Sequence, residues 1–348
     1  MKSPRVHIVL LNWNGWRDTI ECLESLLGLN YDNYQILVCD NASTDDSIEK
    51  ILSWSQGIHT IDTYPVEAMR HLSYPPNAKP VEVEQITRQQ ALNPTQPQSN
   101  TKITLIQNGG NIGFAGGNNS GLRYALNQGT DYCWLLNNDT VVEQNTLCEM
   151  VTHSQALDQK GVKNTCGSVQ CFYDNPRIIQ ALGGFEFSEK SAITSATFGR
   201  YLSRDDYANI NHKEYESRLS AIHGCSWLLS RDYLTEVGLM DDRYFLYYEE
   251  IDWALRAKGK FKLTYAPNAF VYHKEGASIG SQSYNRTRSP FAEYNIHKSR
   301  LRFCKKHLPT RIIPVTIYSL LQAINRVRQR QFGNSRAIIK AVLGAKWT

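Results

Sequence analysis

The sequence predicts an α/β protein, a mixed and mostly parallel sheet flanked by helices, followed by a basic helical tail. Three observations predict it. Short apolar runs alternate with amphipathic stretches through the first half of the chain. Several of these runs stop abruptly at Asn or Asp. A glycine-rich stretch leads from the third run into a helical pattern.

In order, Val6–Leu11 is a buried strand ending in Asn12-Trp13-Asn14-Gly15, and 18–29 is an amphipathic helix with Ile20, Leu23, Leu26 and Leu27 on one face. Tyr34–Cys39 is the second strand. It ends at Asp40-Asn41, and a helix follows over Ser47–Ser55. Residues 62–100 hold six prolines and no period, and are expected to be an insertion loop. Ile103–Ile106 is the third strand. Asn108–Gly121 is rich in glycine and opens a helix, where a backbone can approach phosphate closely. Tyr132–Leu136 then runs into Asn137-Asn138-Asp139. A strand ending in Asn-x-Asp places both side chains on one side of the sheet's carboxyl edge, where open parallel sheets bind ligands. Hard oxygen atoms there suit Mg²⁺ or Mn²⁺.

Thr146–Leu157 reads as a helix, Val169–Phe172 as a strand, 177–222 as irregular, and Gly224–Leu229 as another strand. Tyr244–Arg256 delivers three carboxylates, Glu249, Glu250 and Asp252, beside five aromatic residues. Capping of a helix start explains some of that acid. A desolvated carboxylate among others also has the raised proton affinity of a general base. Two strands, 261–265 and 269–273, follow, and His273 ends the second as Asp139 ends another.

The net charge of +5 is unevenly placed: twelve Lys or Arg and no Asp or Glu follow Glu293. An apolar stretch from Arg311 to Ile324, with arginines at 326, 328 and 330, suits a helix lying on an anionic membrane, or one packed on the domain. Eight cysteines without a C-x-x-C pair fit a reduced, cytoplasmic setting. No run is long enough to span a bilayer. The expected place is the cytoplasm, peripherally on the inner face of the cell membrane.

Six motifs stand in a telling order: Leu11–Gly15, Val38–Asp45, Asn111–Asn118, Leu136–Thr140, Tyr248–Asp252 and Val271–His273. Together they resemble the family 2 glycosyltransferases of the GT-A fold, nearest the bacterial rhamnosyltransferase-like branch acting on cell-surface polysaccharides. The resemblance implies a catalytic domain over 1–290, with the basic amphipathic region 291–348 after it. It implies a nucleotide-sugar donor, dTDP- or UDP-linked, and a saccharide or lipid-linked saccharide acceptor. Asp40 would bind base or ribose, with Asn12 and Asn41 shaping that pocket. Gly113, Phe114, Gly117 and Asn118 would line the nucleotide site, and Asn137 and Asn138 would contact the bound nucleotide-sugar as well. Asp139, Asn137 and His273 would hold the metal. Glu250 stands where the family's base stands, beside Glu249, with Asp252 and Arg256 in the same motif and Trp227 near the acceptor. The implied reaction is inverting sugar transfer.

Two other classes compete. A sugar nucleotidyltransferase would carry a basic glycine-rich loop directly after the first strand, unlike Asn12-Trp13-Asn14-Gly15. A non-catalytic membrane or nucleic-acid scaffold would tolerate loss of Asp139 or Glu250, and both are present. Nucleic acid is not an expected partner.

Overall fold

Apolar runs of five to seven residues without polar interruption belong in strands covered on both faces. The computed structural model describes residues 3–59, 66–93, 101–274 and 288–347. Its strands are β1 (Val6–Asn12), β2 (Tyr34–Asp40), β3 (Val83–Thr87), β4 (Ile103–Gln107), β5 (Tyr132–Asn137), β6 (Thr140–Val142), β7 (Asn164–Phe172), β8 (Ile179–Leu182), β9 (Gly184–Ser188), β10 (Ile193–Thr197), β11 (Ala221–Ile222), β12 (Ser226–Ser230) and β13 (Lys262–His273). Its helices are α1 (Trp16–Leu27), α2 (Ser47–Ser55), α3 (Arg88–Leu92), α4 (Gly113–Asn127), α5 (Thr146–Asp158), α6 (Arg204–Tyr207), α7 (His212–Ser217), α8 (Arg231–Glu236), α9 (Glu249–Ala257), α10 (Pro290–His307), α11 (Ile312–Arg328) and α12 (Phe332–Val342).

The main sheet runs β3-β4-β2-β1-β5-β12-β7-β13-β6, with β8 paired to β7. Its first five strands are parallel, and β12 is antiparallel to both neighbours. The register pairs Asn12 with Asp40 and Leu11 with Asn137, so the polar strand ends share one edge. Ile8, Leu10, Ile36, Val38 and Trp134 form the core on one face, and Val9, Leu37, Cys133 and Leu135 on the other. This even alternation makes both faces apolar.

Glycine sets how closely α4 lies on this sheet. A Cβ at Gly117 would come within 2.3 Å of Leu11 Cδ1, and one at Gly121 within 2.7 Å of Val9 Cγ1. Part of the glycine-rich stretch therefore serves helix–sheet packing.

Three expectations are corrected. The segment 62–100 is not simply an insertion loop: Val83–Thr87 is an edge strand parallel to β4, and α3 packs on α4. Residues 62–65 and 94–100 lie outside the described residues. As an edge strand, β3 is only half-buried, so it shows no apolar run. The region 177–222 is more ordered than expected, with β8 on the main sheet and β10-β9-β11 as a second, three-stranded sheet. Its strands are two to five residues long, too short to show a period. The two strands around Pro267 are one, β13, with a register shift between Ala266 and Phe270.

Across the expected boundary at 290/291, α10 packs directly against the sheet core. Phe303 of α10 packs in the core cluster that holds Val9 and Leu135, and Ser299 Oγ donates to the carbonyl of Leu246 at 2.8 Å. The outer layer is α11 and α12, which pack on α10 and on each other. No helix among the described residues is long and apolar enough to cross a membrane.

Candidate active site

At the carboxyl edge of the sheet lies a cavity of about 290 Å³. Asn137, Asn138 and Asp139 meet Glu249, Glu250 and His273 in its lining. Residues over a hundred positions apart converge because β5 and β12 pair, and because β13 brings His273 opposite Thr140 of β6.

Below the cavity, hydrogen bonds pin the strand ends together. Asp40 accepts from Asn12 Nδ2 at 2.7 Å, from Ser43 N at 3.0 Å and from Ser43 Oγ at 2.6 Å. Thr19 Oγ1 donates to Asn12 Oδ1 at 2.8 Å, and Asn138 Nδ2 donates to Thr19 Oγ1 at 2.9 Å. Asp40 and Asn12 are buried and lie behind the lining, whereas Asn41 is part of it. Asn41 Nδ2 donates to the carbonyl of Gly113 at 3.0 Å. Gly113 and Phe114 also line the cavity, while Gly117 and Asn118 are buried behind it in α4.

Gly113 has φ +79°, and its amide neighbour Phe114 donates to the carbonyl of Phe245 at 2.7 Å. A Cβ at 113 would sit 2.3 Å from that oxygen. The glycine thus lets the aromatic segment 244–248 lie directly against the start of α4. Tyr247 and Tyr248 then both adopt positive φ, +67° and +71°. Two consecutive strained residues turn the chain sharply into α9 and point its first carboxylates at the cavity.

Glu250 Oε1 accepts the Gly224 N–H at 2.6 Å. Burial pushes Glu250 up to about 7, against the pull of that hydrogen bond. Burial and the neighbouring Glu250 raise Glu249 well above the carboxylate range, and its Oε2 meets no partner among the described residues. Burial and mutual repulsion therefore raise the proton affinity of Glu249, and Glu250 titrates near neutrality. This is the poise of a general base.

Across the cavity, Asp139 Oδ1 lies 3.3 Å from His273 Nε2 yet has no hydrogen bond. Burial would raise Asp139, but His273 and Lys274 outweigh it and hold the carboxyl below its ordinary range. Burial would lower His273, but Cys225 and Asp139 outweigh it and raise the imidazole well above its ordinary range. Asn137 Nδ2 is 3.4 Å from the same ring nitrogen. A carboxylate oxygen without a hydrogen bond and an imidazole nitrogen meet at this corner beside the amide of Asn137, and such a mixed oxygen and nitrogen set fits Mg²⁺ or Mn²⁺. No cluster of three His, Cys, Asp or Glu residues stands here among the described residues. Asn137 is the third group.

Asp252, Arg256 and Trp227, expected at the site, lie away from this cavity. Asp252 is fully buried and bonds to Arg256 Nε at 2.9 Å, Lys306 Nζ at 2.6 Å and His307 Nε2 at 2.7 Å, fastening α9 to α10. Two positions beyond Glu250, it falls on the opposite side of the helix. Arg256 also donates to the carbonyls of Val237 and Leu239. Trp227 lies in the core against Trp253, with ring centroids 5.1 Å apart. None of the three lines the cavity.

Sequence reasoning missed Gln180, Arg200, His223 and Phe291, which do line it. His223 is held at about 3 by burial and by the charges of His273 and Arg200, so its ring is neutral. The first three come from the poorly patterned 177–222 region and its end, and Phe291 from the helix read as tail.

Residues 7–64 and 84–238, more than half of the chain, match the family described as glycosyl transferase family 2. The match contains Asn12, Asp40 and Asp139 and stops before Glu250 and His273. The low-salt glycan biosynthesis hexosyltransferase Agl10 of Haloferax volcanii is 26% identical over 162 residues, 46% of this chain and 48% of that protein. The aligned part is thus about half of that relative. Among solved structures, GalNAc-T7 with UDP, GalNAc and Mn²⁺ superposes with a TM-score of 0.53 at 15% identity, over 87% of this chain and 48% of that one. The mannosyltransferase PcManGT of Pyrobaculum calidifontis, with GDP-Man and Mn²⁺, gives 0.49 at 14% identity over 100% and 77%. The fold is that of the GT-A glycosyltransferases, and the chain belongs to glycosyltransferase family 2.

Proposed function

We propose that the protein moves a hexose from a nucleoside-diphosphate-sugar to a hydroxyl of a saccharide or lipid-linked saccharide, with inversion at the anomeric carbon. The observation that carries this reading is that Glu250 and Asp139 line one cavity from opposite motifs. Glu250, titrating near 7, takes the proton of the acceptor hydroxyl. Gly224 N–H fixes its Oε1, and the raised proton affinity of Glu249 disfavours a second negative charge beside it. Asp139, His273 and Asn137 would hold Mg²⁺ or Mn²⁺, which when bound stabilises charge on a diphosphate leaving group. Trp13, Asn41 and Phe114 flank the donor side of the same cavity. The sugar we favour is rhamnose, on the motif resemblance, with dTDP- and UDP-linked donors as the ones to try.

The working place we infer is an anionic membrane surface. Inward, α11 buries the small residues Val315, Ser319 and Ala323. Outward, it exposes Ile313, Ile317, Leu320, Leu321 and Ile324. Larger apolar groups outside than inside invert ordinary amphipathicity, and Arg328 ends the helix.

The test is release of nucleoside diphosphate from a panel of dTDP-, UDP- and GDP-sugars with Mn²⁺ present. Release from one donor, abolished by EDTA and by Asp139→Asn, is expected. No release from any sugar nucleotide, with no thermal stabilisation by them, would overturn the reading.

A further inference from the structure

We propose that Gln180 is a positioning residue for the Asp139–His273 corner, holding the histidine ring so that Nε2 faces the carboxylate. The proposal rests on the reading of that corner as a divalent-ion site. Gln180 Oε1 lies 2.9 Å from His273 Nδ1, and both side chains are buried. A carbonyl oxygen cannot donate, so Nδ1 carries the proton in this contact. In the neutral ring Nε2 is then the atom with a free lone pair, and it is the one 3.3 Å from Asp139 Oδ1. The reverse amide orientation would put a donor on Nδ1 and force the neutral ring's proton onto Nε2, which could then hold no ion. An outer partner that fixes the tautomer and orientation of a ligating histidine is a general requirement of such sites.

A second observation points the same way. Gln180 Nε2 is buried and has no partner among the described residues, although Gln180 lines the cavity. Leaving a buried amide donor unsatisfied is unfavourable. An oxygen-rich ligand in the cavity, a diphosphate or a sugar hydroxyl, would satisfy it. One side chain thus both sets the ring and offers a donor to what the ring helps to hold. Gln180 can do this because β8 pairs with β7, whose end runs beside His273 of β13.

The experiment measures Mn²⁺ affinity of the full chain by the electron-paramagnetic signal of free Mn²⁺, with UDP and separately with dTDP. Gln180→Met, similar in length but without a carbonyl, should weaken Mn²⁺ binding about 10–100-fold. Gln180→Glu, which keeps an acceptor on Nδ1 but gives up the Nε2 donor, should lose clearly less Mn²⁺ affinity than Gln180→Met. Gln180→Leu carries the same expectation as Met should that variant not fold. Wild-type affinity in Gln180→Met, or a loss in Gln180→Glu equal to that in Met, would overturn the proposal. If wild type binds Mn²⁺ and Asp139→Asn does not, only the Gln180 role is lost. If wild type binds none, the ion site itself falls with it.

Discussion

The backbone N–H of Gly224 lies 2.6 Å from Oε1 of Glu250, and a Cβ added at 224 would sit 2.4 Å from the same oxygen. The contact joins the turn before β12 to the first turn of α9. It exists only because residue 224 has no side chain. Gly224→Ala must therefore push Glu250 from its seat. We expect kcat to fall about 10–100-fold while the donor KM stays within a factor of about three, since a displaced general base gives up part of its contribution. Steady-state kinetics on the purified variant checks this. A fall in donor affinity with kcat unchanged would place Glu250 in donor binding instead.

Burial of Glu250 has a cost in stability that depends on pH. Its folded value, about 7, lies above the ordinary 4.5, so the folded state binds the extra proton between those limits. Stability from this group is present below about 4.5 and is lost as pH rises through 7. Glu250→Gln keeps the Gly224 contact through its carbonyl and removes the charge. We expect the variant to be more stable than wild type at pH 8, by about 1–3 kcal/mol, and equal to it at pH 4.5. Urea denaturation at the two pH values decides. Equal stability at pH 8 would mean that the carboxylate is solvated when ionised.

The outward face of α11 should act through contact with lipid, without supporting the fold. Leu321 is 58% exposed and Ile324 51%. We expect the double variant Leu321→Glu, Ile324→Glu to lose sedimentation with anionic vesicles. Its melting temperature should stay within about 2 °C of wild type, because neither side chain packs inside. Unchanged sedimentation would reject this face as the membrane contact.

Where the sequence spoke, it did so through abrupt changes. Tyr132–Leu136 stops at Asn137-Asn138-Asp139, and the aromatic run stops at Glu249-Glu250, so strand ends and a helix start were visible with their chemistry attached. Direction was harder to read. Asp252 and Arg256 share a motif with Glu250, yet helical geometry turns them toward α10, where Lys306 and His307 wait. Trp227 lies near Gly224 in sequence, but β12 carries it inward, into the core. Gln180 and His223 had no signal, because the strands that place them, β8 and β11, are four and two residues long. The edge strand β3 hid for the opposite reason, being half-exposed and set among prolines.

The most direct test is the rate of sugar transfer by Glu250→Gln at pH 8 with saturating donor, alongside donor binding by the same protein. With donor binding kept within about threefold of wild type, we expect transfer to fall by about 10²–10⁴-fold, the contribution of a positioned general base. Turnover near the wild-type rate would contradict the assignment of Glu250 and the mechanism built on it.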